Sequence, residues 1–225
     1  MAETGWNRTE SPFHAGEQEV QTRMGVRDKM ENVGRRFIRD YMPDQHREFF
    51  QMLPFLLVGA MDASGQPQVS VVVGQPGFIS SPNPQRLRVA TQPLFGSPLR
   101  DTLRVGLDVG ILGIQLETRR RNRITGRVAS VDADGFDIAV HQSFGNCPQY
   151  IQTRSLAYLP DLDTPDRERP VHRSDRLTER DRTLISAADT LFIATAYSQD
   201  EDNPAHGADV SHRGGKPGFL TSSPP

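Results

Sequence analysis

The chain spells one hairpin twice. Gly74-Gln75-Pro76-Gly77-Phe78 recurs as Gly215-Lys216-Pro217-Gly218-Phe219, and a Val-Ser pair precedes each copy, at Val69-Ser70 and Val210-Ser211. Ahead of each runs an apolar, strand-like segment, Phe55 to Met61 and Leu191 to Tyr197. Such self-similarity constrains a fold more than composition does, because both copies must solve the same packing problem. The second copy covers only the first hairpin: its turn, Ser198 to Ala208, is longer and polar, and the sequence reaches Pro225 where a third strand would begin. Half a sheet leaves an unpaired edge. The tail is therefore expected to dock on the first copy or on another chain, or to be the remnant of a longer tandem protein cut short by truncation or frameshift.

Around the repeat the pattern is mainly β. Phe55 to Met61 and Pro67 to Gly74 form a hairpin about Asp62-Ala63-Ser64-Gly65, where the glycine suits a positive φ. Phe78 to Ser80, Leu87 to Ala90, Val109 to Leu116, Arg123 to Val131 and Phe136 to Gln142 read as further strands. Leu94 to Arg104 reads as a short helix with Gly96-Ser97-Pro98 at its start. Six or seven short strands with tight turns and one internal helix imply a small closed or partly open antiparallel barrel. Met1 to Pro12 reads as an extended lead-in. His14 to Ile38 gives one or two partly exposed helices, and Gln45 to Met52 a short one with Asp44 as its cap. Pro148 is placed to open a helix capped by Asn146 or Cys147. Residues 161–176 read as a linker and Leu177 to Ala188 as a helix, so the chain divides into 1–52, a barrel over 53–160, the linker, and 177–225 carrying the partial repeat.

Within the barrel the chemistry concentrates in Glu117 to Val128, where Arg119, Arg120, Arg121, Asn122 and Arg123 follow a buried apolar strand. Guanidinium forks suit a dianionic phosphate through charge-assisted, often bidentate bonds; a solvated strand end or interface ion pairs would use the same residues. Neighbours on a strand point to opposite faces, so Arg121 and Arg123 share one and Arg120 and Asn122 the other.

Composition excludes more than it selects. The net charge of −2 argues against a nucleic-acid binder. No apolar run approaches the roughly 18 residues needed to span a membrane, and no signal-peptide core is present. The lone Cys147 rules out an intrachain disulfide and points to a cytoplasmic setting. The six histidines lack metal-ligand spacing, and no Gly-x-Gly-x-x-Gly follows a strand.

Four segments together, FHAGEQEVQTRMGVRD from Phe13, PFLLVGAMDASGQPQVSVVVGQPGFI from Pro54, LETRRRNRITGRV from Leu116 and HQSFGNCPQYIQTR from His141, resemble the pyridoxamine 5'-phosphate oxidase-like FMN-binding split-barrel family, in its flavin-nucleotide-binding branch. The resemblance covers most of positions 13 to 155. It implies a six-stranded antiparallel split barrel with flanking helices that forms a homodimer and holds FMN between subunits. The family's Arg-x-x-Arg-x-x-Gly strand falls on Arg120, Arg123 and Gly126, with Asn122 facing the flavin edge and Ser97 in a phosphate loop. Ser70, Val71, Val72, Thr91 and Gln92 fall where backbone and small polar groups would meet the flavin ring, and Asn146, Gln149 and Tyr150 where they would line the pocket or the dimer seam. The chain departs from the family where Ser-Pro-Leu replaces serine-arginine-lysine at Ser97, and where Val71 to Gly74 lack basic residues. What carries over is FMN binding by backbone and the arginine strand, in a flavin-dependent oxidoreductase of unknown substrate. The alternatives are a non-catalytic flavin- or haem-binding module and a truncated tandem protein without activity.

Overall fold

The computed structural model describes residues 5–158, 168, 170–198 and 203–221; most of the expected linker and the middle of the second hairpin's turn lie outside them. Helices α1 (Ala15–Arg23), α2 (Arg27–Phe37) and α3 (Asp44–Gln51) precede strands β1 (Phe55–Met61), β2 (Pro67–Val73), β3 (Ile79–Asn83) and β4 (Arg86–Val89). A short helix α4 (Pro98–Thr102) leads to β5 (Asp108–Gln115), β6 (Arg120–Asp132) and β7 (Gly135–Gly145). Then come α5 (Glu179–Ala187), β8 (Thr190–Tyr197) and β9 (Gly207–Gly214).

Seven strands, not six, form one antiparallel sheet in the order β2-β1-β5-β6-β7-β4-β3, and its end strands β2 and β3 do not pair with each other. The sheet is nevertheless curled. A single buried cluster takes side chains from every one of its strands, including Leu56, Val72, Ile79, Leu87, Ile111, Ile124 and Phe136, and α3 adds Phe49 and Phe50. A flat sheet of this order would not bring both its ends to one core. The next residues along β1 and β5, Leu57, Leu112 and Ile114, face outward into a second cluster with Ile151 and Val210. β5 is thus covered on both faces, which is why its sequence is a continuous apolar run.

The cover is β8–β9, a separate two-stranded sheet. It repeats β1–β2 in register as well as in sequence: Phe55↔Val73 and Leu57↔Val71 recur as Thr190↔Gly214 and Phe192↔His212. The turns agree too. Gly77 and Gly218 both adopt positive φ, 98° and 86°, and donate to Gln51 and Ser186, equivalent residues at the ends of α3 and α5. Phe78 and Phe219 each fold over a glycine, Gly74 or Gly215, where a Cβ would run into the phenyl ring. The repeat therefore includes the preceding helix, and of the alternatives open for the tail, the fold takes docking on the first copy. Two glycines permit it: a side chain at Gly59 would meet Val210 and Ala194 at 3.2 and 3.3 Å, and one at Gly110 would run into the backbone of Asp209.

Several local expectations are corrected. The lead-in folds back instead of extending: Trp6 is buried, its amide donates to the Arg35 carbonyl, and Arg35 donates to carbonyls of Arg8 and Thr9. The 14–38 segment, expected as one or two helices, is two, in keeping with that reading; they divide at Gly25 with φ 66°, and the first is opened by a capping box of His14 and Glu17. Asp44 lies inside α3, whose N-cap is Pro43; its carboxylate takes Arg47 instead, at 2.9 Å. β3 continues through Asn83 with a register shift, where a loop was expected. No helix starts at Asn146 or Cys147; residues 149–150 turn with Tyr150 at φ 66°.

Candidate functional site

Of the residues that the resemblance selects, the structure brings few together. Ser70 is buried and joined to the start of α4, accepting from Ser97 Oγ at 2.8 Å and from the Leu99 amide at 3.1 Å. Val72 sits in the inner core while Val71 is exposed. Thr91 follows β4. Gln92 spends its amide on the β6–β7 turn, donating to the carbonyls of Asp132 and Ala133. Asn122 is buried on the inner face of β6, and Arg120, on that same side, lies with its guanidinium 5.1 Å from the Phe49 ring centroid. Arg123 faces the opposite way, so Arg120 and Arg123 do not converge on one ligand.

The outer face of β6 presents Arg121, Arg123 and Thr125, two residues apart along the strand. β9 crosses above them. Arg123 donates through Nε to Asp209 Oδ1 at 3.0 Å and pairs with the same carboxylate through Nη2; its guanidinium also lies 5.1 Å from the Phe144 ring centroid. Burial and the neighbouring Arg213 hold its pKa down to about 10, against the pull of Glu17. It remains a cation at neutral pH, already matched by one acid.

Among the described residues no carboxylate matches Arg121 in this way. Its Nη1 lies 2.8 Å from His212 Nδ1, and because a guanidinium only donates, that nitrogen must accept and the ring hydrogen must sit on Nε2. Burial, then Arg121 and Arg213, push the His212 pKa down to about 4, so the ring is neutral at pH 7. Arg121 is itself shifted down by burial. Among the described residues, four buried side-chain polar atoms have no hydrogen-bond partner: Arg121 Nε, Thr125 Oγ1, His212 Nε2 and Asn146 Oδ1. Three belong to the seam between β6 and β9. The fourth is next to it, since the Asn146 amide donates to the Arg121 carbonyl. Polar atoms buried without partners are rare and costly, and here they gather in one place.

Beside this seam, Arg123, Thr125, Gln142 and Phe144 from the sheet, His14 and Glu17 from α1, and the far ends of β8 and β9 enclose a cavity of about 250 Å³. Tyr197 stacks face to face on His14, centroids 4.3 Å apart, and His206 meets Tyr197 edge-on at 4.8 Å. Desolvation raises the Glu17 carboxyl and lowers His14. Gly126 is needed here because a Cβ would run into the Ala139 carbonyl, beside the register shift where β7 carries His141 as an extra residue. Sequence reasoning found the arginines but missed Asp209, His212, His14 and Glu17. The capping-box spacing of His14 and Glu17 was visible, but nothing local ties it to β6.

Among the described residues no helix is long and apolar enough to cross a membrane, and no group of His, Cys, Asp and Glu could hold a metal ion. No family model and no curated protein matches the chain. Among solved structures it is similar to a tagged histidine-to-alanine variant of HupZ from group A Streptococcus, at 14% identity and a TM-score of 0.37, covering 47% of this chain and 99% of that one. A likeness at that level leaves fold and function to be argued from this chain's own geometry.

Proposed function

We propose that the protein is an FMN-binding module of split-barrel type, acting as a flavin-dependent oxidoreductase, with the nucleotide on the outer face of β6 and its phosphate toward Arg121 and His212. One observation supports the reading above others: the gathering of unpartnered Arg121 Nε, His212 Nε2 and Thr125 Oγ1 at a seam with more arginines than acids. All three are donors, and a phosphate is what three donors beside an unmatched guanidinium suit. The curled sheet with every strand feeding one core supports the split-barrel architecture. The cavity's 250 Å³ falls just below the roughly 300–1,000 Å³ usual for ligand pockets. It therefore takes one part of a flavin nucleotide, with Phe144 and Tyr197 as apolar lining.

Bound flavin would supply hydride or electron transfer. The chain's own residues would orient it: Arg121 and His212 by donating, and α1 by closing the cavity through His14 and Glu17. The single free cysteine, Cys147, is exposed and supports a reducing, cytoplasmic setting. The test is a visible spectrum of the purified protein, followed by titration with FMN and with riboflavin. Flavin absorbance or quenching of added FMN fluorescence is expected, with FMN held more tightly than riboflavin. Arg121→Ala should remove that preference, weakening FMN by about 1.5–3 kcal/mol, whereas Arg120→Ala, on the other face, should not. A colourless protein that leaves FMN fluorescence unquenched overturns the reading. Anaerobic NADH or NADPH should bleach the bound flavin; binding without bleaching by either marks a carrier instead of a reductase.

A further inference from the structure

α1 reaches the cavity with its first turn, through His14 and Glu17. No residue of the helix is buried, and Val20 and Met24 beyond that turn are 53% and 71% exposed. Its Arg23–Glu19 pair stands in solvent, where ion pairs add little. A helix of nine residues is marginal unless packing or capping holds it. Packing does not hold α1, so the cap must.

The cap has a chemistry of its own. Helices are ordinarily capped by Ser, Thr, Asp or Asn, as α5 is by Thr178. At α1 the acceptor is the His14 ring: Nδ1 takes the Gly16 amide at 3.1 Å, and Glu17 completes the box by accepting from the His14 amide at 3.1 Å. A ring nitrogen that accepts carries no hydrogen, so the neutral ring has its proton on Nε2. A second proton goes to Nδ1, where it sets one donor against another. Histidine is the side chain that makes this change between about pH 5 and 8.

The same ring is part of the cavity wall. It stacks on Tyr197 with centroids 4.3 Å apart and planes 10° from parallel, and His206 stands edge-on to both rings. Both ends of α1 are marked. The Phe13 ring, just ahead of it, fills the space that a Cβ at Gly34 would need, and Gly25, just after it, takes φ 66° with open space around it.

We infer that α1 is a proton-sensitive lid: protonation of His14 removes the cap, the first turn unwinds, and His14 and Glu17 leave the cavity wall. Among the described residues the titratable groups facing the ring are Glu17 on α1, Tyr197 on β8 and His206 ahead of β9, while Arg123 and Asp209 are matched to one another across the cavity. Burial and His206 lower the His14 pKa from 6.5, so the closed lid is the form at neutral pH and its advantage is lost as pH falls below 6.5. Glu17, shifted up by desolvation, moves toward neutrality over the same descent, and its half of the box weakens with the other. The inference concerns the wall itself and does not rest on the flavin reading.

The test is amide hydrogen exchange on the intact chain by nuclear magnetic resonance, from about pH 7.5 to about 5.5 across the ordinary range of histidine, corrected for the intrinsic pH dependence of exchange. Broadening of the Thr125 and Phe144 side-chain signals by a soluble gadolinium chelate reports access to the cavity. As pH falls, α1 amides should lose roughly 3- to 30-fold in protection, the span of a lost cap, and both cavity side chains should broaden. His14→Asn, a capping residue that does not titrate, should keep α1 protected throughout, and His14→Ala should leave it open at every pH. The β6–β7 amides should behave alike in the wild type and His14→Asn. Protection of α1 that is independent of pH overturns the inference, as does a loss that His14→Asn reproduces or a His14→Ala variant as protected as the wild type at neutral pH. So does opening of α1 without broadening of the cavity side chains.

Discussion

Single residues decide the chemistry of the β6–β9 seam. Arg123 is partly buried and matched by Asp209. Removing that carboxylate strands a cation under β9, so Asp209→Ala should cost about 1–3 kcal/mol of stability, read as a lowered urea midpoint with unchanged slope. An unchanged midpoint would mean the pair is already fully screened by water. Histidines set the acid limit. His46, bonded to Ser143 at 2.9 Å, and His212 both have pKa values pushed down to about 4 from 6.5, mainly by burial. The folded chain therefore holds these rings neutral where the unfolded chain protonates them. Above about pH 6.5 neither contributes a pH dependence; as pH falls toward 4, stability is lost, on the order of 2–3 kcal/mol per ring by the linkage between pKa shift and folding. His14 and His141 shift in the same direction, while Glu17, raised by desolvation, works against them. Urea unfolding across this range should show the loss, and His46→Gln with His212→Gln should flatten the slope without abolishing it. A double variant with the wild-type slope would show that these two rings are not held neutral by the fold. At this scale the sequence disclosed the alternation of Arg121 and Arg123 against Arg120 and Asn122. It concealed their partners, since Asp209 lies 86 residues from Arg123 and no local pattern specifies a pairing that distant.

Elements follow from local signals wherever those signals are local. The hairpin at Asp62 to Gly65, the inner strands of the sheet and the existence of α5 were legible in turn residues and apolar patterning, while the Thr178–Asp181 capping box that opens α5 is a finding of the structure. The failures have a common cause: tertiary contacts override the local reading. Pro148 looked like a helix opener, but the segment after β7 is drawn against β9, with the Tyr150 carbonyl occupying the space above Gly214 and Ile151 in the outer cluster. Gly110 is the complementary case, a glycine in mid-strand that local propensity disfavours. Its reason is β9, whose backbone at Asp209 fills the space of a side chain. Gly110→Val, which improves β propensity, should therefore destabilise the chain by about 1–3 kcal/mol through overpacking, and should lower the protection of β9 amides more than those of β7. Neutral or increased stability would show that the hairpin yields easily at this point, contrary to the close approach seen.

At the scale of the whole molecule, the repeat explains an architecture that neither composition nor strand count could give. One copy completes a sheet curled around its own core; the other completes nothing alone and borrows the outside of the first. The sequence displayed both copies, down to the glycine turns, and left open what the second would do, because docking depends on Gly59, inside the first copy, and Gly110, beyond it, whose contacts with β8 and β9 no local pattern specifies. Two units joined in this way should not be equally stable. The first has strands paired on both sides and a large core; β8–β9 has two strands and rests mainly on Val210 and Phe192 against Leu57, Leu112 and Ile114. Local opening of the hairpin should then require less free energy than opening of β5–β6. Val210→Ala should lower the exchange protection of β8–β9 by about 1–3 kcal/mol while leaving β6–β7 nearly unchanged, as measured by native-state hydrogen exchange on the intact chain. If protection instead falls by the same amount in both, the hairpin is an integral part of one cooperative unit, and the seam at Arg121 and His212 opens only when the entire sheet does.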